Sequence, residues 1–226
     1  GTNDVIISST IASNQAGSGS IDGIGGGIFT GASTNTQDWV KLLNDVIALN
    51  AGGGPDLGGV VHSLGHNLVG ADDGSSGFTA PGDLVGSSGS PLDPKLGPLV
   101  DNGGPTLTMA LLPGSPAIDA GVAVGAPATD QRGVPRTQGF GVDIGAFEFL
   151  YTPVFTSVVF QNTTNRQLQM SGFAPDHTLT LQASTNLLNW FDVTNFVVGA
   201  NGVFQCFEPI SGAVPMRFNR LKSVSP

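Results

Sequence analysis

Short apolar runs that end at asparagine or glycine fill the first third of this chain. β-Branched residues favour strands, and asparagine or glycine permits a sharp turn, so these runs predict short strands. Two of the runs resemble each other: IISSTIASNQAG from Ile6 and LLNDVIALNAGG from Leu42. The match aligns Ile6 with Leu42, Ile11-Ala12 with Ile47-Ala48, and Asn14 with Asn50.

The spacing of these runs predicts an all-β fold, a parallel β-helix over residues 1–150. With roughly 18–20 residues per rung, the two matching runs lie about two rungs apart. GIGGGIF, residues 23–29, then predicts the rung between them, and VVHSLGHNLVG, residues 60–70, predicts the next one. Asparagines at the turns of such a fold can form hydrogen-bonded ladders, and we expect Asn14, Asn50 and Asn67 to form one.

The segment PLVDNGGPTLTMALLPGSPAIDAG, residues 98–121, follows the predicted rungs. The last rung of a β-helix exposes strand edges and one end of its apolar interior, so it needs a cap. The prolines of this segment stop further strand addition. We therefore expect the segment to cap the end of the coil, with five aliphatic side chains over the core: Leu107, Met109, Leu111, Leu112 and Ile118.

A second domain is predicted over residues 151–226, where glycine thins out and apolar residues begin to alternate with polar ones. The run HTLTLQAS shows this alternation, with Leu179, Leu181 and Ala183 on one face. Further strand-like runs are separated by turn residues. The pattern predicts a small antiparallel β-sandwich of immunoglobulin-like or fibronectin-like kind, with Trp190 and Phe218 in its core.

Composition excludes several classes of partner. Only 11% of the 226 residues are charged, 34 residues are glycine, and the net charge is −9. Nucleic acids and anionic membrane surfaces require clustered lysine and arginine, so we expect neither as a partner. No apolar run approaches the ~20 residues that span a bilayer, so we expect no membrane insertion. Cys206 is the only cysteine, which excludes an intrachain disulfide.

The chain begins at Gly1 and reaches a strand-like run almost at once, which favours a processed or excised piece of a longer precursor. The first predicted strands then form an assembly edge that exposes backbone donors and acceptors together with Val5, Ile7 and Ile11. An upstream part of the β-helix or a second copy bound head to tail would cover this edge. Head-to-tail contacts between identical subunits build open filaments unless they close into a ring.

Three segments of the chain resemble the bacterial choice-of-anchor Q domain: SLGHNLVG, SPLDPKLGPLVDNGGPTLTMALLPGSPAIDAG and ATDQRGVPRTQGFGVDIGAFE. The resemblance covers Ser63 to Glu148, with Met109 where the family pattern has histidine. Such domains occur at the C-terminal end of right-handed parallel β-helices, which are pectin-lyase-like, in secreted and surface proteins. The resemblance therefore implies an extracellular or cell-surface location in a bacterium, and it implies no reaction.

The end of the chain is similar to a C-terminal module that recurs in exported bacterial proteins. The similarity lies in STNLLNW, residues 184–190, and in RFNRL, residues 217–221, where Asn219 stands in place of a tyrosine. The module's role in sorting, anchoring or assembly stays open.

Charged residues concentrate in DQRGVPR and DIGAFE, although charge is scarce elsewhere in the chain. We expect them to fasten the cap through ion pairs and bidentate hydrogen bonds: Asp130, Arg132, Arg136, Asp143 and Glu148. Asp72 and Asp73 in a glycine-rich loop are weak candidates for binding calcium, because calcium loops space their acidic ligands regularly. His62 and His66 lack the further ligands of a zinc site. We expect no metal and no cofactor.

Polysaccharide lyases and glycosidases with this fold use paired carboxylates or carboxylate-bound calcium beside a basic residue. The predicted rungs hold no arginine, and their acidic residues share no common rung position. Aromatic, acidic and basic residues coincide only at a possible sugar contact formed by Asp38, Trp39, Lys41 and Asp45. We therefore expect a non-enzymatic extracellular structural or adhesive protein. The alternatives are a filament subunit and a polysaccharide-binding or polysaccharide-degrading β-helix.

Overall fold

The computed structural model describes residues 4–16, 26–30, 39–51, 56–160, 165–173, 178–199, 202–209 and 217–223. These residues form an all-β protein, with strands, turns and bends but no helix. The chain divides into two compact units, Gly1–Leu150 and Tyr151–Pro226. Because the described ranges contain no helix, none of their elements is a helix that could cross a membrane.

The first unit contains two parallel sheets and a hairpin. Its strands are β1 (Val5–Ile7), β2 (Thr10–Ala12), β3 (Ile28–Phe29), β4 (Val40–Leu43), β5 (Val46–Ala48), β6 (Leu57–Gly65), β7 (Leu68–Val69), β8 (Gly74–Ser76), β9 (Leu84–Val85), β10 (Leu96–Val100) and β11 (Thr108–Leu111). The first sheet has the order β1-β4-β6-β3, with β8 also paired to β6, and the second has the order β2-β5-β7-β9. The hairpin pairs β10 with β11.

Three levels of strand pairs stack on each other in these sheets. In each level a two-residue corner joins a strand of the first sheet to a strand of the second: Ser8-Ser9, Asn44-Asp45 and His66-Asn67. The first residue of each corner has a left-handed backbone, with φ of 49° at Ser8, 56° at Asn44 and 55° at His66. Few residues other than glycine adopt this conformation, and Asn and His are among those that do so most often.

The predicted register is confirmed, but the predicted number of rungs is wrong. Ile6 pairs with Leu42, and Ile11 pairs with Ile47. These pairs belong to directly adjacent strands, so the offset between the matching runs spans one level and not two. From the predicted intermediate rung, Ile28–Phe29 forms β3 and lies beside β6 at Leu57–Gly58. Residues 23–25 of that rung lie outside the described residues.

Strands β5 and β7 of the second sheet are buried on both faces, which explains their uninterrupted apolar runs. Ile47 and Val69 pack into a cluster with Leu42, Leu57 and Val61 of the first sheet. Their neighbours along the strands, Val46, Ala48 and Leu68, pack on the opposite face against Leu111, Ala117, Ile144 and Phe147. Successive side chains of a strand point to opposite faces. Residues 108–149, which we call the covering segment, therefore lie along the outer face of this sheet.

The covering segment corrects the expectation of a cap over the end of the coil. It contacts level after level of the second sheet: Gly145 approaches Val46 and Thr10 so closely that a Cβ there would lie 3.0 Å from Val46 Cγ2 and 2.9 Å from Thr10 Oγ1. Of the five aliphatic side chains expected over the core, Leu111 is buried, and Ile118 packs against the apolar cluster on the outer face of the second sheet. Leu107 and Leu112 are exposed, and Met109 is half-buried.

The second unit contains two three-stranded antiparallel sheets. Its strands are β12 (Val154–Phe160), β13 (Asn165–Ser171), β14 (Thr178–Ser184), β15 (Phe191–Val197), β16 (Phe204–Pro209) and β17 (Phe218–Ser223), in the orders β12-β13-β16 and β15-β14-β17. Both sheets contribute to one apolar cluster, which includes Leu168, Met170, Leu181 and Phe204. Trp190 was expected in this core, but it is half-exposed and its ring lies under the Arg220 guanidinium at 4.2 Å.

Candidate functional site

The Asp130 carboxylate ties the two ends of a tight turn to the C-terminal end of the covering segment. Its Oδ1 accepts hydrogen bonds from the backbone N–H groups of Arg132 (2.8 Å) and Val134 (3.0 Å). Its Oδ2 accepts from Glu148 N at 3.0 Å and from both Nε and Nη2 of Arg132 at 2.9 and 2.6 Å. Burial alone would raise the pKa of Asp130, but these hydrogen bonds outweigh it and hold the pKa below its ordinary value.

Arg132 completes this arrangement because its side chain is held on three sides. Its guanidinium lies 3.5 Å from the ring centroid of Phe147, and its Nη2 also donates to the Glu148 carbonyl at 2.6 Å. The pairing with Asp130 is buried on both sides. The ion pair is therefore a buried tie within the covering segment.

Arg136 and Glu148 form a second buried ion pair, with Nη1 and Oε2 separated by 3.2 Å. The Glu148 carboxylate also accepts from the backbone N–H groups of Thr137 (2.8 Å) and Gln138 (3.1 Å). Arg136 Nη2 donates to the carbonyl of Gly145 at 2.9 Å. The pair thus binds two loops of the covering segment to each other.

Asp143, the last of the five charged residues expected to fasten the cap, lies in the same buried region. It accepts the backbone N–H groups of Asp119 (2.7 Å) and Phe149. Burial raises the pKa of Asp143 to about 7, against the lowering effect of these hydrogen bonds. The structure therefore brings all five residues together in the covering segment, where they hold loops in place.

A ladder of side-chain acceptors joins the corners of successive levels. Ser9 N donates to Asp45 Oδ1 at 2.8 Å, Asp45 N donates to Asn67 Oδ1 at 3.0 Å, and Asn67 N donates to Asp83 Oδ1 at 3.0 Å. Each corner thus has its backbone N–H bound by a side chain of the following level. Asn67 belongs to this ladder, and the expectation that it stacks on Asn50 is wrong.

Asn14 and Asn50 do form a pair at the other end of the second sheet. Asn14 Nδ2 donates to Asn50 Oδ1 at 2.9 Å, and Asn50 Nδ2 donates to Asp56 Oδ1 at 3.0 Å. Asp56 Oδ2 accepts from the backbone of Ala71 at 2.9 Å. The ladder that continues from these asparagines therefore uses an aspartate as its next member.

The possible sugar contact is not assembled as expected. Asp38 lies outside the described residues. Asp45 is fully buried, where its oxygens accept Ser9 N and Leu43 N, and burial raises its pKa to about 7. Trp39 and Lys41 are half-buried, and Lys41 lies on β4 between Val5 and His62. Asp45 cannot meet a sugar, because its side chain points into the ladder and not into solvent.

The weak metal candidates are also placed apart from further ligands. Asp73 is exposed and accepts the backbone N–H of Ser88, and hydrogen bonds from Ser88 lower its pKa. Burial, helped by the charge of Asp73, raises the pKa of Asp72. His62 is exposed, whereas His66 Nδ1 donates to the Ala120 carbonyl at 2.7 Å. Within the described ranges, no group of three or more His, Cys, Asp or Glu side chains could hold a metal ion.

The corner side chains meet the covering segment differently at each level. At the second level, Asn44 Nδ2 donates to the Val122 carbonyl at 2.8 Å and Asn44 Oδ1 accepts from Val122 N at 2.9 Å. At the third level His66 bonds to Ala120. At the first level the Ser8 hydroxyl has no hydrogen-bond partner among the described residues, and a cleft of about 440 Å³ lies between this corner and the covering segment.

This cleft was not predicted from the sequence, where Arg136 was expected only as a fastening residue and Ser8 was not a candidate. The sequence signal for the cleft is a polar dipeptide at each corner: Ser8-Ser9, Asn44-Asp45 and His66-Asn67. The leading residue of the first dipeptide, Ser8, is smaller than its counterparts Asn44 and His66. Comparison with protein-family models, with curated proteins and with solved structures found no match to this chain.

Proposed function

We propose that this chain is a non-enzymatic structural or adhesive part of an extracellular bacterial surface protein. In this proposal the first unit is the end of a right-handed, pectin-lyase-like parallel β-helix with a choice-of-anchor Q segment. The second unit is an immunoglobulin-like or fibronectin-like sandwich. The location and the choice-of-anchor Q assignment rest on the sequence resemblance, and the sandwich assignment rests on the strand pattern of residues 151–226.

One observation carries the non-enzymatic part of the proposal: buried carboxylates of the first unit are occupied by backbone N–H groups. Asp45, Asp130, Asp143 and Glu148 are all buried, and each accepts at least two backbone hydrogen bonds. A general acid or base must reach the proton it transfers, in a geometry open to substrate. Carboxylates held in this way stabilise the loops whose N–H groups they accept.

Protease treatment of intact cells of the producing bacterium tests the location. We expect peptides of this chain to be released without lysis, while a cytoplasmic marker protein stays inside. Incubation of the purified chain with neutral and acidic polysaccharides tests the absence of catalysis, with new reducing ends as the readout. Release of peptides only after lysis, or steady depolymerisation by the purified chain, contradicts the proposal.

Self-assembly is the second candidate, and the edge strands favour it. Among the described strands, β1 and β2 lie at the ends of their sheets, and Val5 is 44% exposed. Strand edges of this kind recruit further strands. Size-exclusion chromatography and negative-stain microscopy of the 226-residue chain test it. We expect fibres that Ile7→Lys or Ile11→Lys weakens, and a stable monomer at high concentration rejects this candidate.

A further inference from the structure

The cleft between the first corner and the covering segment, which we call the corner cleft, is lined mostly by polar residues, with Pro127 and Ala146 as its apolar members. Its volume of about 440 Å³ falls within the range of roughly 300–1,000 Å³ that is typical of small-molecule sites. The corner supplies Ser8, Ser9 and Thr10, and the covering segment supplies Thr129, Gln131 and Arg136. No aromatic residue lines it.

Ser8 brings a buried hydroxyl to this cleft. The residue is only 6% exposed, and its Oγ finds no hydrogen-bond partner among the described residues. The matching residues of the next two levels, Asn44 and His66, both bond to the covering segment. A buried polar group without a partner costs free energy, so this hydroxyl is poised for a partner that enters the cleft.

Arg136 brings a buried donor. Its side chain is 4% exposed, and its Nη1 and Nη2 donate to Glu148 Oε2 and to the carbonyl of Gly145. Its Nε–H finds no acceptor in the described part of the chain. The guanidinium is thus fixed by two of its nitrogens, so its Nε–H is held in place before any ligand binds, as in a preorganised recognition group.

The charge of the cleft decides the class of ligand. Arg136 is neutralised by Glu148, and Asp130, which also lines the cleft, is neutralised by Arg132. The chain as a whole carries a net charge of −9, which repels anions. The cleft therefore suits a neutral molecule that both donates and accepts hydrogen bonds through several hydroxyl groups.

We propose that the corner cleft binds a neutral saccharide. One ring oxygen or hydroxyl accepts from Arg136 Nε, and a neighbouring hydroxyl pairs with Ser8 Oγ. Thr10 Oγ1, which accepts from Ala146 N at 3.0 Å, has its own hydrogen left to donate to the sugar. Because no aromatic face stacks on the ring, the dissociation constant is on the order of 1 mM for a mono- or disaccharide. This site is separate from Asp38, Trp39, Lys41 and Asp45, and it does not rest on the structural role proposed above.

Nitrogen-15 NMR of the 226-residue chain tests the proposal, because the buried Arg136 Nε–H gives its own signal. The probes are maltose and N,N′-diacetylchitobiose, each raised to about 10 mM, with digalacturonate as the anionic comparison. We expect the neutral disaccharides to shift the Arg136 Nε–H signal and the backbone signals of Ser9 and Thr10. Digalacturonate should bind more weakly than either.

Ser8→Asn is the variant that fills the cleft. Ser8 has a left-handed backbone that asparagine accepts, and asparagine stands at the same corner of the next level. We expect Ser8→Asn to weaken binding at least about tenfold. Ser13→Asn is the matched control, since Ser13 is exposed, has φ of 59° and does not line the cleft, and we expect it to bind like the parent chain.

Three outcomes overturn the proposal. No shift of the Arg136 Nε–H signal at the highest disaccharide concentration means that water alone satisfies this donor. Equal binding by Ser8→Asn and Ser13→Asn moves the site elsewhere, and tighter binding of digalacturonate rejects the neutral class. If Ser8→Asn loses its folded spectrum, Ser8→Ala replaces it, and removal of one hydroxyl should weaken binding by about two- to tenfold.

Discussion

The two units of this chain bury their strands in different ways. In the second sheet of the first unit, the consecutive residues Val46, Ile47 and Ala48 are all fully buried. In β13 of the second unit, Leu168 and Met170 are buried, whereas the residues between and around them are half-buried. A parallel sheet covered on both faces needs apolar residues throughout, while an antiparallel sheet covered on one face needs them at alternate positions.

The difference extends to the polar side chains. The first unit places charged carboxyl groups in its interior, because corners and loops without a strand partner need acceptors for their N–H groups. The described strands of the second unit satisfy one another through antiparallel pairing, and the apolar cluster between them contains no charged residue. Stability of the first unit should therefore depend on ionisation, and stability of the second should depend on apolar contact.

A pH series gives the largest expected effect. Asp45 and Asp143 have folded pKa values of about 7, whereas the same groups in an unfolded chain titrate near 4. Between these values the folded state binds more protons, so its stability is fully present below pH 4 and is lost as the pH rises through 7. We expect the unfolding free energy of the first unit to fall on the order of 4 kcal/mol between pH 5 and pH 7.

Urea unfolding at several pH values measures this effect, and Asp45→Asn provides the control because it removes one of the two titrations. The slope of stability against pH should be smaller in that variant. Asp130 acts in the opposite sense, since its pKa is lowered, and it adds stability that is lost only below about pH 4. A first unit whose stability rises steadily from pH 5 to pH 7 contradicts the burial of ionisable carboxyl groups.

Removal of one carboxylate sharpens the comparison at single residues. Asp130→Ala leaves Arg132 and three backbone N–H groups without their acceptor, so we expect a loss of about 3 kcal/mol. Asp192→Ala in the second unit removes a single hydrogen bond, which the buried Gln182 Nε2 donates to the exposed Asp192 carboxylate, and should cost about 1 kcal/mol. Equal losses in urea unfolding would mean that the ties of the covering segment contribute no more than one side-chain hydrogen bond.

A matched pair of valines tests whether the covering segment lies on the second sheet. Val46 is fully buried against this segment, and Val197 in β15 is 61% exposed. We expect Val46→Ala to cost about 2 kcal/mol, because it removes two buried carbon atoms and leaves a cavity. Val197→Ala should change stability by less than about 0.5 kcal/mol. A loss of less than about 0.5 kcal/mol in Val46→Ala would mean that the outer face of the sheet is exposed to solvent.

Sequence reasoning identified which strands pair but not how many residues make up one level. The similarity of the runs at Ile6 and Leu42 reports the register directly, because stacked strands occupy the same environment. The number of residues in each level is set by loops that no stacking constrains. The run Val46-Ile47-Ala48 did contain the signal for two buried faces, since a half-exposed strand would alternate.

The candidate site was harder to predict because its parts are distant in sequence. Ser8 and Arg136 meet only after the covering segment has folded back along the second sheet, and no local pattern records that path. Asp45 illustrates the converse error, because it was expected at the surface in a sugar contact and is fully buried. Its place in the sequence beside a lysine-containing strand suggested a surface group. Its position after the left-handed residue of a corner was the better guide to its role as a backbone acceptor.

The corner ladder has a consequence for how such a protein can change over time. Its successive hydrogen bonds span 36, 22 and 16 residues, yet each one joins the same atoms in the same way. The register is thus set by the corner hydrogen bonds whatever the number of residues between two corners, and added residues in such a connection cost little additional entropy. Changes in the length of these connections therefore leave the pairing of the corners unchanged.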